Sequence, residues 1–92
     1  MLTELEDRIL AMSEGEWIDL ATGAAILESW FDRVIDRSEL DAAINRLMGS
    51  MLLQLKAEGS LVLDPQLMAD RPLEALEIRA TSFGEVYLAK TA

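Results

Sequence analysis

Cysteine and histidine are both absent from the chain. Structural zinc sites are built mainly from cysteine and histidine side chains, and Ser-His-Asp or Cys-His catalysis requires an imidazole. Without cysteine, the chain forms neither disulfide bonds nor a reactive thiolate. We therefore expect no zinc site, no histidine-dependent hydrolase and no thiol chemistry. We predict a protein that is not an enzyme and that uses no cofactor.

Aromatic residues and long apolar runs are also scarce. Aromatics make up 5% of the 92 residues, so leucine, isoleucine, methionine and alanine must fill most of the core. No apolar run approaches the roughly 18 residues that a membrane span requires, and no signal-peptide pattern opens the chain. Hydrophobic residues nevertheless form 51% of the chain, against 27% charged, which is typical of a folded domain. We predict a single cytoplasmic domain over residues 1–92, with no membrane partner.

Basic residues are few in relation to acidic residues. The chain has 8 lysines and arginines, 17 aspartates and glutamates and a formal net charge of −9, and eleven of the acids lie in residues 1–46. Nucleic-acid affinity comes mainly from basic side chains that neutralise phosphates. This charge therefore disfavours a nucleic-acid partner, whereas it is compatible with a protein partner.

Three carboxylates, those of Glu28, Asp32 and Asp36, recur at four-residue spacing within residues 19–36, a segment that we predict to be the second helix. Such a ridge has the oxygen ligands that a divalent cation prefers. It lies opposite the apolar side of the helix, however, where solvated acids are ordinary. We interpret it as a solvated helix face and predict no metal site.

Capping signals and apolar periodicity predict the first two helices. Thr3 and Glu6 have the spacing of a capping box, and the helix that follows ends near Ser13. A second helix over residues 19–36 places most of its apolar residues within an arc of roughly 140°. Both helices therefore have one side suited to a core.

The third predicted helix covers residues 39–58. Ser38 is its N-cap, and Gly59 takes the left-handed stop position. Its core face carries apolar residues at helical spacing: Leu40, Ile44, Leu47, Met48, Met51, Leu52 and Leu55.

After residue 59 the apolar period shortens. Residues 60–64 predict a short strand, residues 65–72 a loop, and residues 76–81 a second strand in which apolar and polar residues alternate. Ser82 and Glu85 have the spacing of a capping box that opens a short last helix. The predicted fold class is α+β and mostly α, with three helices, a two-stranded, wing-like β-hairpin and a short C-terminal helix.

The segment over residues 76–88 resembles the second wing strand and closing helix of winged-helix regulators of the multiple-antibiotic-resistance type. In many of these regulators a strand ends in threonine, and a glycine and an apolar helix follow; here residues 81–88 read Thr-Ser-Phe-Gly-Glu-Val-Tyr-Leu. The resemblance covers about residues 38–90. It implies a winged-helix domain in which residues 38–46 open the recognition helix and residues 65–72 form the wing.

The resemblance also implies an alternative function, that of a DNA-binding transcriptional regulator. The opening of the third helix departs from this pattern, because it exposes Glu39, Asp41 and Ala42. The residues that could contact DNA are Arg33, Arg37, Asn45, Arg46 and Arg71. A second alternative is an acidic protein that imitates the charge of DNA and inhibits a DNA-binding partner.

A second seam on the predicted third helix indicates an interface. Ala42, Arg46, Gly49 and Leu53 follow spacings of four, three and four opposite the core face, and the small residues among them allow another helix to approach closely. With further apolar residues outside this helix, the exposure exceeds what a small monomer needs. We predict a protein–protein interaction module that forms a two-fold homodimer. The candidate interface residues are Ile26, Ala42, Arg46, Gly49, Leu53, Leu67 and Met68.

Overall fold

A computed structural model describes residues 1–91 and, within them, every side chain except those of Pro65 and Leu67. Over this range the chain has an α+β fold in which four strands form one antiparallel sheet in the order β1-β4-β2-β3. The elements are α1 (Glu4–Met12), β1 (Ile18–Asp19), α2 (Leu20–Phe31), α3 (Arg37–Gly49), β2 (Leu53–Ala57), β3 (Ser60–Val62), β4 (Leu76–Ala80) and α4 (Ser82–Thr91), with 3₁₀ turns at Pro65–Met68 and Leu73–Ala75.

The predicted capping box at the start of α1 is confirmed. The N–H of Glu6 donates to Oγ1 of Thr3 over 3.1 Å, and the N–H of Thr3 donates to Oε1 of Glu6 over 2.9 Å. At the other end, Ser13 is buried and its hydroxyl donates to the carbonyls of Ile9 and Leu10. Both ends of α1 thus satisfy polar groups that burial would otherwise penalise.

The second helix is shorter than the predicted range of 19–36. It begins after Asp19, whose carboxylate accepts a 2.7 Å hydrogen bond from the N–H of Thr22, and it ends at Asp32, which has a left-handed φ of 55°. The next helix has Asp36 as its N-cap rather than Ser38. Residues 32–36 therefore form a connection in which Ile35 is buried.

The prediction of one helix over residues 39–58 is wrong, because α3 ends at Gly49 and the chain then becomes β2. The helix closes with two reversing hydrogen bonds, from the N–H of Leu52 to the carbonyl of Leu47 and from the N–H of Met51 to the carbonyl of Met48. Met51 occupies the left-handed position of this turn, with a φ of 62°. Glycine usually takes that position, so no glycine marks the end of the helix at the residue where the backbone reverses.

The predicted hairpin between residues 60–64 and 76–81 is also corrected. β3 pairs with β2, and the two-residue turn between them consists of Glu58 and Gly59, with φ values of 52° and 84°. Two positive φ values are the requirement of a type I′ turn, whose twist matches that of the flanking strands. The predicted second strand is present as β4, but it lies between β1 and β2 in the four-stranded sheet.

The core lies between the helices and one face of the sheet. Alternate residues of β2 and β4 point inward, as the period-2 geometry of a strand requires. The fully buried leucine and isoleucine residues that meet there are Ile9, Leu10, Leu20, Leu27, Leu40, Ile44, Leu47, Leu55, Leu76 and Ile78. None of the helices within residues 1–91 is both long enough and apolar enough to cross a bilayer.

The start of α4 is fixed against the turn that follows α3, a contact we call the α4 junction and define by Met51, Leu52, Thr81 and Gly84. Oγ1 of Thr81 donates to the Met51 carbonyl over 2.6 Å and accepts from the N–H of Gly84 over 3.1 Å. The N–H of Thr81 donates to the Leu52 carbonyl over 3.0 Å. Thr81 is therefore the residue that caps α4, one position before the predicted Ser82.

Gly84→Ala should destabilise the domain, because a Cβ atom there would overlap the carbonyl oxygen of Leu52 and approach Cδ1 of Leu10 to 3.0 Å. We expect a loss of roughly 1–3 kcal/mol in the free energy of unfolding, measured by urea denaturation. Gly49→Ala is the matched control, since nothing lies within 4 Å of a Cβ at that helical position. It should stabilise the domain by up to about 1 kcal/mol. Equal effects from the two substitutions would contradict the close approach at the α4 junction.

Candidate protein-binding site

The seam predicted on the outer face of the third helix is not continuous in the structure. Ala42, Arg46 and Gly49 are exposed on α3, as predicted. Leu53, however, belongs to β2 and is only 3% exposed, because its side chain points into the core. The helix ends before Leu53, so this residue cannot extend a line of helical side chains.

The remaining predicted interface residues do not join those on α3. Met68 is 1% exposed, because the 3₁₀ turn at Pro65–Met68 places its side chain in the core. The side chain of Leu67 lies outside the described part of the structure. Ile26 is exposed on α2, in a shallow depression that it shares with Ser29 and Trp30.

The four arginines considered for DNA contact each face a carboxylate. The pairs are Arg33–Glu39 (2.8 Å), Arg37–Asp41 (2.8 Å), Arg71–Glu58 (3.1 Å) and Arg46–Glu6. Asn45 is exposed on α3 without being part of these pairs. An arginine beside a carboxylate contributes little to a positive field at long range, so the pairing weakens any basic strip that these residues could form.

Two further basic side chains lie on aromatic rings. The guanidinium of Arg8 lies 3.5 Å from the centre of the Trp30 ring, and the ammonium of Lys56 lies 4.1 Å from that of Trp17. Such contacts cover the ring face and hold the cation near the protein surface. Most of the few basic side chains therefore contact a carboxylate or an aromatic ring of the domain itself.

The pair between Arg46 and Glu6 contains the most buried carboxylate of the four: Glu6 is buried, whereas Arg46 remains largely exposed. Burial works to raise the pKa of the Glu6 carboxyl. The hydrogen bond from the N–H of Thr3 and the contact with the Arg46 guanidinium act in the opposite direction and hold this pKa below its ordinary value of 4.5. Arg46 therefore has a structural partner inside its own domain.

An apolar groove of about 400 Å³ opens between the end of α3, the β2–β3 hairpin and the start of α4. An adjoining depression shares Met51 and Phe83 with it and extends along α4 to Val86 and Lys90. We call the combined surface the apolar groove and define it by five large side chains that are more than half exposed, from 53% at Val86 to 92% at Leu63. These five are Met51, Leu61, Leu63, Phe83 and Val86.

The apolar groove differs in charge from the rest of the domain. None of the described residues that line it is an aspartate or a glutamate, although the chain has 17 of them. Lys90, at one end, is the only charged residue among them. The groove is thus an apolar surface with a single, basic charge at one end, on a strongly acidic protein.

The groove was not predicted from the sequence, because Met51 was assigned to the core face of a helix and Leu61 and Leu63 to a strand, while the sides of the last helix were not distinguished. The last helix carries one signal that would have helped. Gly84, Tyr87 and Leu88 share the side of α4 that faces the core, so Phe83 and Val86 lie on a second apolar side. A short terminal helix with two apolar sides can bury only one of them within a small domain.

The groove provides no recognisable catalytic arrangement. Its polar lining residues are Gln54, Thr81 and Ser82 in the main part and Ser50, Tyr87 and Lys90 in the adjoining part. Among residues 1–91, no cluster of three or more acidic side chains is arranged to hold a metal ion. What this surface can do chemically is to exclude water against another apolar surface.

Comparisons of the chain with protein-family models, curated proteins and solved structures found no match.

Glu6→Gln should lower stability at neutral pH by about 1–3 kcal/mol, because the buried side chain loses charge-assisted hydrogen bonds. Since the folded-state pKa of Glu6 lies below 4.5, the carboxylate stabilises the fold above that pH. This contribution is lost as the pH falls below 4.5 through the folded-state pKa. The difference in unfolding free energy between the wild type and this variant should therefore shrink between pH 7 and pH 3.

Glu16→Gln provides the control for this measurement, since it removes one exposed carboxylate with the same change in charge. Urea denaturation of all three proteins at both pH values gives the comparison. A difference between the wild type and Glu6→Gln that stays constant with pH would contradict the stabilising role of the ionised carboxylate.

Proposed function

We propose that this domain is a non-enzymatic protein–protein interaction module and that the apolar groove is its docking surface. The observation that carries the proposal is the clustering of five exposed large apolar side chains around one groove that, among the described residues, no acidic side chain lines. Contiguous apolar surface of this kind on a small domain is typical of a site that another protein covers.

The energetics of the groove support docking through a few anchors. Full burial of a leucine or phenylalanine side chain contributes about 1.5–3 kcal/mol. Leu63 and Phe83 project from different elements at the same groove, so a partner that covers both would gain most of its affinity from a small area. Interfaces commonly have this distribution, in which a few central residues contribute most of the binding energy.

The open edge of the sheet borders the same surface. The two-residue turn makes Ala57 and Ser60 a hydrogen-bonded pair, so the next pair, Lys56 and Leu61, is not hydrogen-bonded across the two strands. The N–H and carbonyl of Leu61 therefore point away from β2. Residues 60–63 carry no charge, whereas exposed edge strands are usually protected by charged side chains or proline.

The order of the elements supports the winged-helix resemblance as a description of shape. A helix, a short strand, two helices and a hairpin precede β4, which lies between β1 and β2. On this resemblance α3 would be the recognition helix. Its basic residues Arg37 and Arg46 are paired with carboxylates, and this favours protein docking over the alternative of a DNA-binding regulator.

Photo-cross-linking from the groove tests this proposal. The full chain, carrying benzoylphenylalanine in place of Leu63, is expressed in its source cells. Val34 is the matched control position, because it is 77% exposed but lies outside the groove. We expect a protein to cross-link from position 63 and not from position 34.

The affinity of the cross-linked protein, once purified, should fall at least tenfold with Phe83→Glu, which places a charge in the apolar surface. Val34→Glu, with the same change in net charge, should leave the affinity unchanged. Equal cross-linking from both positions, or binding that Phe83→Glu does not weaken, would show that the groove is not a docking surface.

A further inference from the structure

We infer that the partner in the apolar groove is a second copy of this chain, related to the first by a two-fold axis. The inference rests on the proposed function and names the occupant of that site. It follows from the charge of the groove and from its shape, which are independent of each other.

The charge of the groove matches what self-association of this chain requires. Two copies with a formal charge of −9 each repel one another, so contact between them is most favourable through a surface from which acidic residues are absent. The lining of the apolar groove meets this condition, and Lys90 lies at its border. A strongly basic partner would find no carboxylate in the groove, and a charged partner surface would lose hydration there without gaining an ion pair.

Another exposed aromatic surface shows the contrast. Trp30 is exposed, but the hollow beside it is also lined by Glu4, Asp7 and Glu14. Two copies that met through Trp30 would bring these carboxylates together. The carboxylates therefore disfavour contact between copies through this hollow. The depression that Trp30 shares with Ile26 is uncharged, but it offers these two large exposed apolar side chains against five in the apolar groove.

The groove carries both a projecting side chain and a recess, as a contact between two identical patches requires. An isologous interface uses the same patch on both subunits, so one patch must supply both the projection and the recess that receives it. Leu63 is almost fully exposed at the rim, and the recess of about 400 Å³ lies beside it. About a two-fold axis, Leu63 of each copy enters the recess of the other, and Phe83 of each copy covers the contact.

Sedimentation equilibrium of the full chain tests this inference. We expect a reversible monomer–dimer equilibrium, with dimers in the majority at tens of micromolar. The dissociation constant should rise at least tenfold with Leu63→Glu and with Phe83→Glu and stay within twofold with Val34→Glu. Added salt should tighten the wild-type dimer, because it screens repulsion between the two acidic copies.

Circular dichroism shows whether each variant is folded. If Phe83→Glu is unfolded, the dissociation constant of the Leu63→Glu variant decides the outcome. A wild-type chain that stays monomeric at hundreds of micromolar, or a dimer that both groove substitutions leave intact, would overturn the inference. A dimer that Val34→Glu weakens equally would overturn it too. If the chain is monomeric but residue 63 still cross-links to a different protein, the proposed function stands and only the second copy is ruled out.

Discussion

Two main-chain carbonyls, those of Met51 and Leu52, fix the arrangement on which the rest of the domain depends. They accept hydrogen bonds from Thr81, and the absence of a side chain at Gly84 lets α4 approach them closely. The same turn ends α3 and begins β2, so one junction sets the direction of a helix, a strand and the closing helix. The apolar groove lies directly over this junction. Backbone contacts therefore hold the walls of the groove, which lowers the conformational entropy that the proposed docking would have to offset.

The distribution of charge distinguishes the apolar groove from the rest of the domain surface. Six of the eight arginine and lysine side chains are engaged with carboxylates or aromatic rings of the same domain. The acids that remain face solvent over most of the molecule, whereas the residues described around the groove include none. On a strongly acidic exterior, a surface without acidic residues favours association there, because approach through the acidic faces brings like charges together.

The parts of the fold that the sequence predicted are those with strong local signals. The capping box at Thr3, the alternation of residues 76–80 and the last helix from Ser82 all depend on neighbours within a few residues. The break after α3 depends on a methionine in a glycine-like conformation, and Leu55 fits both the helical spacing from Leu52 and the strand alternation with Leu53. Once that break was missed, Leu53 was placed on a surface, and the pairing of β3 with β2 could not be foreseen. The groove depends on the end of α3 and on the pairing of β3 with β2. Its residues could therefore not be predicted from patterns among neighbouring residues.

Met51 has a further consequence for how this domain can change. A left-handed conformation costs a residue with a side chain roughly 1–2 kcal/mol, a penalty that glycine avoids. The Met51 side chain is mostly exposed and contributes little to the core, so folding alone would favour glycine at this position. Glycine would also remove one wall of the groove. Selection for greater stability would therefore favour glycine at position 51, whereas selection for the proposed docking surface would favour methionine.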